Sequence, residues 1–165
     1  MPNWISNVLS VSADTSEELI LFLDKHLVGS WFKLDTIVPQ PKSRDECPME
    51  YIVNSEVEAE RLREDPPLSY PDDKVWFDWY NWNMDNWGCK WEASGFNPID
   101  KKMIGLENIC SVNIVFTTAW RPPLKAINVL FDLHPNLRIG LEYYSFESYL
   151  IGCCDDGGTN EMSYF

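Results

Sequence analysis

Alternating and helical patterns of hydrophobic residues organise the first thirty positions of the chain. Residues 5–12 place Leu9 and Val11 between serines, which is the alternation expected of a half-buried strand. Thr15-Ser-Glu-Glu18 then has the form of a capping box, which marks the start of a helix. Apolar residues follow it at helical spacing: Leu19, Phe22, Leu23 and Leu27. The pattern predicts a strand and then a first helix that ends near Gly29.

The last third of the chain shows a similar succession of patterns. Residues 111–117 (SVNIVFT) alternate clearly, and Pro122-Pro123 favours a helix start because proline is tolerated in a first turn. The predicted buried stripe of this second helix is Leu124, Ile127, Leu130 and Phe131. Further strands are predicted at 137–146 and 149–153, ahead of an Asp-Asp-Gly-Gly turn at 155–158.

The segment between these regions is less regular. Residues 32–38 predict a second strand, closed by Pro39. Residues 40–73 are polar and rich in proline, and we interpret them as an insertion or long excursion within a single domain spanning 1–165. A short helix is predicted inside this segment, at 56–64.

A third helix is predicted where a tryptophan-rich segment begins. Pro71-Asp72-Asp73 suits a helix start, since acidic side chains stabilise the positive end of the helix dipole. The predicted helix covers 75–84 and is ended with the help of Gly88. The overall order of strand, helix, strands, helix and strand predicts an α+β fold. We expect a ferredoxin-like α/β plait, an antiparallel sheet with two helices on one face, with additional strands and an inserted segment.

The net charge of the chain limits the kinds of molecule that it is expected to bind. The chain has 13 Lys and Arg against 26 Asp and Glu, a formal net charge of −13. An acidic surface repels phosphate backbones and anionic lipids, which predicts no direct nucleic-acid binding and no membrane binding. It favours a protein partner with a basic surface, including one that normally holds nucleic acid. The N-terminus has neither a basic region nor an apolar run, and five cysteines show no framework spacing, which predicts a cytoplasmic protein with reduced thiols.

Few groups in the sequence suggest catalysis or a cofactor. The two histidines, His26 and His134, fall at predicted helix C-termini, where a cation interacts favourably with the dipole. No cysteine or histidine spacing resembles a zinc or iron–sulfur site, and no phosphate loop or nucleophile elbow is present. We predict no cofactor, no metal and no catalytic residue.

The tryptophan-rich segment 75–91 admits two interpretations. Its rings either pack against a sheet as core or form a recognition surface, because tryptophan offers a large contact area at low entropic cost. Helical aromatic stripes are more often core, so we assign Trp76–Trp82 to the core; if the segment forms a functional surface, we expect it at Asn86–Trp91 together with Trp120 and Arg121.

Arg121 is the strongest candidate for holding an anion. It stands between Trp120 and Pro122, directly ahead of a predicted helix, where a guanidinium beside free amides suits a carboxylate or phosphate. The alternative is a surface cation–π pair of Arg121 with Trp120. The candidate ligand- or partner-binding residues are Trp87, Lys90, Trp91, Trp120 and Arg121.

Four segments together resemble the YubB-like family of small proteins from phages, plasmids and genomic islands. They are Met1-Pro-Asn-Trp4 with Asn7, residues 86–91 (NWGCKW), residues 116–123 (FTTAWRPP) and residues 143–152. The resemblance implies a ferredoxin-like domain and a mobile-element origin. It implies no established activity, so no catalytic residue carries over to this chain.

Three functions follow from these observations. The leading hypothesis is a non-enzymatic acidic interaction protein of phage or mobile-element type, which binds and modulates a protein in the host cytoplasm, with counter-defence as one such role. The alternative is a binder of a small anionic, nucleotide-like ligand, which predicts a concave pocket lined by Trp120, Arg121 and part of the tryptophan cluster. A carboxylate-dependent hydrolase is the least supported, because it needs two acids with separated pKa values in one cleft.

Overall fold

The computed structural model of the chain describes residues 3–53, 68–70, 75–95, 99–145, 147, 149–156 and 158–163. Within those ranges there are four helices: α1 (Ser16–His26), α2 (Trp79–Asn86), α3 (Lys101–Leu106) and α4 (Leu124–Leu133). The same ranges contain eleven strands: β1 (Trp4–Ser12), β2 (Leu27–Val28), β3 (Trp31–Phe32), β4 (Ile52–Val53), β5 (Leu68–Tyr70), β6 (Val75–Phe77), β7 (Ser94–Gly95), β8 (Ser111–Ala119), β9 (Arg138–Ser145), β10 (Leu150–Asp155) and β11 (Gly158–Ser163). The protein is therefore α+β, as the sequence predicts.

A six-stranded antiparallel sheet in the order β11-β10-β9-β1-β8-β7 is the main framework. Strand β1 lies inside it, with Leu9 opposite Ile114 of β8 on one side and Leu141 of β9 on the other. Within the described residues, the strands predicted at 5–12, 111–117, 137–146 and 149–153 are confirmed, and β10 pairs with a further strand, β11, with Asp155 opposite Gly158.

One face of this sheet is buried and carries the core. Successive side chains of a strand point to opposite faces, so the apolar residues of β1, β8 and β9 that alternate along the chain all face the same way. They form one cluster with residues of α1 and α4: Ile5, Leu9, Val11, Ile114, Phe116, Ile139, Leu141 and Tyr143 from the sheet, and Leu19, Phe22, Leu23, Ala126, Ile127 and Leu130 from the helices. Each fully buried aliphatic or phenyl side chain contributes about 1.5–3 kcal/mol, so this cluster dominates stability.

The predicted capping of α1 is confirmed. The Thr15 side chain accepts a hydrogen bond from the backbone N–H of Glu18 at 3.2 Å, and the Glu18 carboxylate accepts from the N–H of Asp14 at 3.3 Å. The helix ends at His26, and Gly29 follows with a positive φ of 65° in the turn between β2 and β3.

The strand predicted at 32–38 is wrong. Strand β3 ends at Phe32, and a 3₁₀ turn occupies Leu34–Thr36. The Glu92 carboxylate accepts hydrogen bonds from the backbone N–H groups of Leu34 at 2.6 Å and of Asp35 at 3.0 Å. A distant acid therefore binds the first amides of the turn, and hydropathy alone does not report that contact.

The helix predicted at 75–84 is also wrong at its start. Residues 75–77 form strand β6, and α2 begins only at Trp79, because the Asp78 side chain caps it by accepting from the N–H of Asn81 at 3.1 Å. The predicted stop is confirmed: Gly88 has a φ of 87°, and its N–H donates to the carbonyl of Asn83 at 3.0 Å. The helix start proposed at 71–73 and the helix at 56–64 lie outside the described residues.

The described part of the 40–73 excursion returns to the body of the protein through a second, smaller sheet. Its strands β4 and β5 flank β6 in the order β4-β6-β5, all antiparallel. The buried Phe77 of β6 belongs to the same core cluster as the main sheet.

In the part of the chain that is described, no helix is both long and apolar enough to cross a membrane.

Candidate functional site

Three segments that are distant in sequence meet at one end of the main sheet. The N–H of Trp120 donates to the carbonyl of Asn3 at 2.7 Å, and the N–H of Lys90 donates to the carbonyl of Ala119 at 3.3 Å. The Asn83 side chain, on α2, donates to the carbonyl of Lys90 at 2.7 Å. The start of β1, the loop after α2 and the end of β8 are thereby held together by hydrogen bonds.

A buried polar chain supports this junction from the core side. The side-chain amide of Asn7 donates to Thr118 Oγ1 at 3.0 Å, and the Thr118 hydroxyl donates to the carbonyl of Arg121 at 2.8 Å. Both Asn7 and Thr118 are fully buried. Buried polar groups are costly unless they are bonded, so this chain fixes the conformation of the turn that carries Trp120 and Arg121.

The ammonium of Lys90 lies among aromatic rings at this junction. Its Nζ is 4.6 Å from the centre of the Trp120 ring, 5.1 Å from that of Trp91 and 5.6 Å from that of Tyr80. The Trp4 ring packs against Trp91, with centroids 5.9 Å apart. We call Trp4, Tyr80, Trp91 and Trp120 the aromatic patch; cation–π attraction to Lys90 contributes about 0.5–2 kcal/mol for each well-placed ring.

The aromatic patch is open to solvent although its central lysine is not. Lys90 is 7% exposed, whereas the side chains of Trp4, Trp91 and Trp120 are 45%, 37% and 44% exposed. Trp120 also adopts a left-handed backbone conformation with a φ of 73°, which bulky residues rarely adopt. Such strain persists only where surrounding contacts enforce it, and the bonds described above supply that enforcement.

The sequence-predicted candidates separate into two groups. Lys90, Trp91 and Trp120 come together in or under the aromatic patch, and Arg121 borders it. Trp87 does not join them: it is 2% exposed, its Nε1 donates to the carbonyl of Val38 at 2.8 Å, and its ring packs edge-on against Trp82. The placement of Trp87 on a binding surface is therefore corrected to a place in the core.

Sequence reasoning missed two members of the patch, Trp4 and Tyr80. Trp4 is part of the N-terminal Pro-Asn-Trp sequence, but nothing in that sequence indicates its neighbours. The antiparallel pairing of β1 with β8 places Trp4 opposite Ala119 and therefore beside Trp120. Tyr80 follows Trp79 on α2, and its position depends on where that helix begins.

A cleft lies next to the aromatic patch, between the end of α2 and the start of α4. It has a volume of about 740 Å³, and its walls include Asp85, Gly88, Trp120, Arg121, Lys125 and Leu150. We call it the α2–α4 cleft.

Arg121 does not form the cation–π pair with Trp120 that the sequence suggests. Within the described residues the cation over the Trp120 ring is Lys90, and the Arg121 guanidinium makes no hydrogen bond, ion pair or ring contact. The expected stacking of Arg121 on Trp120 is thus absent from the described contacts.

The expectation that Arg121 works with free helix amides is narrowed, because two of the first amides of α4 are already bonded within the protein. The N–H of Leu124 donates to the carbonyl of Pro122 at 2.9 Å, and that of Ala126 donates to the carbonyl of Trp87 at 3.3 Å. Gly88 lies so close that a Cβ there would be 3.3 Å from the backbone nitrogen of Lys125.

The two histidines form a pair away from the patch, in which His26 is buried and His134 is half-buried. Their Nε2 atoms are 2.8 Å apart, and His26 Nδ1 is 3.1 Å from Thr36 Oγ1. The Thr36 hydroxyl donates to the carbonyl of Lys33, so it accepts from His26 Nδ1, which leaves His26 Nε2 to accept from the Nε2–H of His134. Burial lowers the pKa of His26 to about 4 and also lowers the pKa of His134. Both rings are therefore neutral at pH 7, which corrects the expectation of charged histidines at the helix ends.

The half-buried Glu92 and the buried Cys89 have structural surroundings. Burial raises the pKa of Glu92, although three backbone N–H groups (Leu34, Asp35 and Ala93) donate to its carboxylate and oppose that shift. Burial also raises the pKa of Cys89, whose thiol donates to the carbonyl of Trp91, so it is not a thiolate nucleophile at neutral pH. Across the described residues, no three His, Cys, Asp or Glu side chains are grouped to hold a metal ion.

Comparison with known proteins gives no match to a family model, to a curated protein or to a solved structure, so the resemblance to the YubB-like family stays a prediction.

Proposed function

We propose that this chain is a non-enzymatic interaction protein that binds another protein through the aromatic patch. The observation that carries the proposal is the convergence of three exposed tryptophan rings from three separate segments: Trp91 and Trp120 lie over the buried Lys90, and Trp4 packs against Trp91. Large exposed aromatic clusters on monomeric proteins mark interaction sites, and tryptophan, tyrosine and arginine are the residues most enriched at binding hot spots.

The chemistry of the patch and of the whole chain favours a partner with a basic surface. The faces of indole rings attract cations, and the position of Lys90 demonstrates that these rings hold an ammonium. Arginine and lysine side chains of a partner would bind the outward faces in the same way. The excess of 26 acidic over 13 basic residues attracts such a partner from a distance and increases its association rate.

The proposal extends to the fold, the origin and the compartment of the protein. The order β9-β1-β8-β7, with α1 following β1 and α4 following β8, supports a ferredoxin-like plait extended by β10 and β11. Resemblance to the YubB-like family supports an origin in a phage or other mobile element. The protein would then act in the host cytoplasm, where it binds a host protein that normally holds nucleic acid.

A capture experiment with patch variants tests the proposal. The wild-type protein, a Trp91→Ala/Trp120→Ala variant and a Leu21→Ala variant are immobilised and exposed to bacterial lysate, and bound proteins are quantified by mass spectrometry. Leu21 is a matched control because it is 69% exposed and lies on α1. Circular dichroism establishes that each variant is folded.

We expect a basic protein that the wild-type and Leu21→Ala forms retain equally and that the double variant retains at least tenfold less. Retention should also fall as salt is raised, since the attraction is partly electrostatic. Equal retention by the wild-type protein and the double variant would contradict the proposal.

A further inference from the structure

The α2–α4 cleft has the volume of a small-molecule site. Its volume of about 740 Å³ falls within the roughly 300–1,000 Å³ typical of ligand pockets. Gly88 makes the cleft possible, because its lack of a side chain lets the end of α2 approach the start of α4 closely. The cleft shares Trp120 with the aromatic patch but opens between different elements, so it is a separate site.

Two side-chain cations border the cleft. The Arg121 guanidinium is exposed, and within the described residues no carboxylate pairs with it. The Lys125 ammonium is 3.6 Å from Asp85, but both side chains are more than half exposed, which makes this ion pair weak. In a chain with a net charge of −13, two cations at one cleft are a local exception, and they favour an anion.

An aromatic plane stands beside these cations. The Trp120 side chain is 44% exposed; its backbone N–H donates to the carbonyl of Asn3, and the N–H of the following Arg121 donates to the carbonyl of Ala119. A ring held in place loses little entropy when a ligand stacks on it. The cleft therefore offers the Trp120 ring for stacking a flat ring and, from the next residue, the Arg121 guanidinium for binding a phosphate.

We propose that the α2–α4 cleft binds a nucleoside phosphate, with the base stacked on Trp120 and the phosphate held by Arg121 and Lys125. This site shares Trp120 with the aromatic patch but uses different charged residues, so the two binding activities can be separated by mutation. Arg121 is the residue that distinguishes the two, since it belongs to the cleft and not to the patch.

Nuclear magnetic resonance titration of the full chain tests the proposal. The ¹⁵N-labelled protein is titrated with the 5′-monophosphates of adenosine, guanosine, cytidine and uridine, and separately with adenosine and with inorganic phosphate. The same titrations use Arg121→Gln and, as a matched control, Arg138→Gln. Arg138 is an exposed arginine at the opposite end of β1, where it pairs with Asp14.

We expect at least one nucleotide to shift the backbone resonances of residues 84–88 and 120–125, with adenosine and phosphate each binding more weakly than adenosine monophosphate. Arg121→Gln should weaken nucleotide binding at least fivefold, and Arg138→Gln by less than twofold. Failure of all four nucleotides to shift these resonances at 10 mM (about the weakest binding worth assigning to a site) would overturn the proposal. Binding that Arg121→Gln leaves unchanged would overturn it as well.

Discussion

The Nε2 atoms of His26 and His134 lie 2.8 Å apart, which joins the C-terminal ends of α1 and α4 across 108 positions of sequence. The Phe22 ring packs against both imidazoles, with centroids 4.9 Å and 5.1 Å away. This pair lies where the two helices of the main core converge, so its protonation state bears directly on the stability of the fold.

Acidification should destabilise the protein before its ordinary carboxylates titrate. The folded-state pKa of His26 is about 4, below its usual 6.5, because burial, His134 and Lys25 disfavour the charged ring; the pKa of His134 is lowered too. The unfolded chain therefore binds more protons below pH 6.5, and stability is lost as the pH falls from about 6.5 towards 4. One excluded proton corresponds to about 1.4 kcal/mol per pH unit.

Urea denaturation at pH 7.5, 6.5, 5.5 and 5.0 measures this loss. These are the only two histidines in the chain, so a His26→Gln/His134→Gln variant should show a much flatter dependence over the same range. The raised pKa of Glu92 acts in the opposite direction, because a folded state that binds its proton more tightly is favoured by acid. A wild-type free energy of unfolding that does not fall between pH 6.5 and 5.0 would contradict the assignment of neutral histidines.

Removal of the lysine at the centre of the aromatic patch should be costly. Lys90→Ala eliminates a buried aliphatic stem and the cation–π contacts of its ammonium, and we expect a loss of about 2 kcal/mol in the free energy of unfolding. Lys102→Ala is the control, because Lys102 is exposed on α3. Urea denaturation compares the two; equal effects would mean that the rings are held without the ammonium.

Gly88 should tolerate substitution less well than Gly29. Both have positive φ angles, of 87° and 65°, so alanine at either position costs about 1 kcal/mol in backbone strain. Only at Gly88 would the new Cβ meet another element, 3.3 Å from the backbone nitrogen of Lys125. We expect Gly88→Ala to lower the free energy of unfolding by about 1 kcal/mol more than Gly29→Ala. Identical losses in chemical denaturation would show that α2 and α4 can separate freely.

Glu92 should determine the conformation of the turn at 34–36. Glu92→Gln keeps the size of the side chain but removes the charge to which the N–H groups of Leu34 and Asp35 donate, with an expected loss of about 1–3 kcal/mol. Hydrogen exchange at these two amides should become faster. Glu107→Gln, an exposed change, should leave their exchange unaltered; unaltered exchange in Glu92→Gln itself would argue that the turn forms without the carboxylate.

Hydrophobic periodicity correctly predicted the helices and strands whose buried apolar residues are regularly spaced along the chain. Strand β1, helix α1 and helix α4 bury alternating or helically spaced apolar residues, and each was predicted within a few positions. The failures occurred where a single distant or local polar contact decides the conformation. The Glu92 carboxylate binds the N–H of Leu34, where a 3₁₀ turn forms instead of the predicted strand. The Asp78 side chain caps α2 at its observed start, so Trp76 lies in strand β6 and not in the predicted helix.

The candidate site was only half predictable for the same reason. Trp91, Trp120 and Lys90 were identifiable by residue type, but tryptophan is suited to both core and surface. Trp87 was assigned to the surface with them, yet its Nε1 bonds to Val38 in the core. Tertiary pairing of β1 with β8, which no local pattern encodes, brings Trp4 to the patch.

Site-specific photo-crosslinking is the most direct test of the aromatic patch as a partner-binding surface. A benzophenone amino acid replaces Trp91 in one form of the protein and Leu106, which is 79% exposed on α3, in another. The forms are irradiated in bacterial cells that express them, and adducts are identified by mass spectrometry. The proposal predicts an adduct with a basic protein from position 91 and none with that protein from position 106. No adduct at position 91, or the same adducts from both positions, would contradict it.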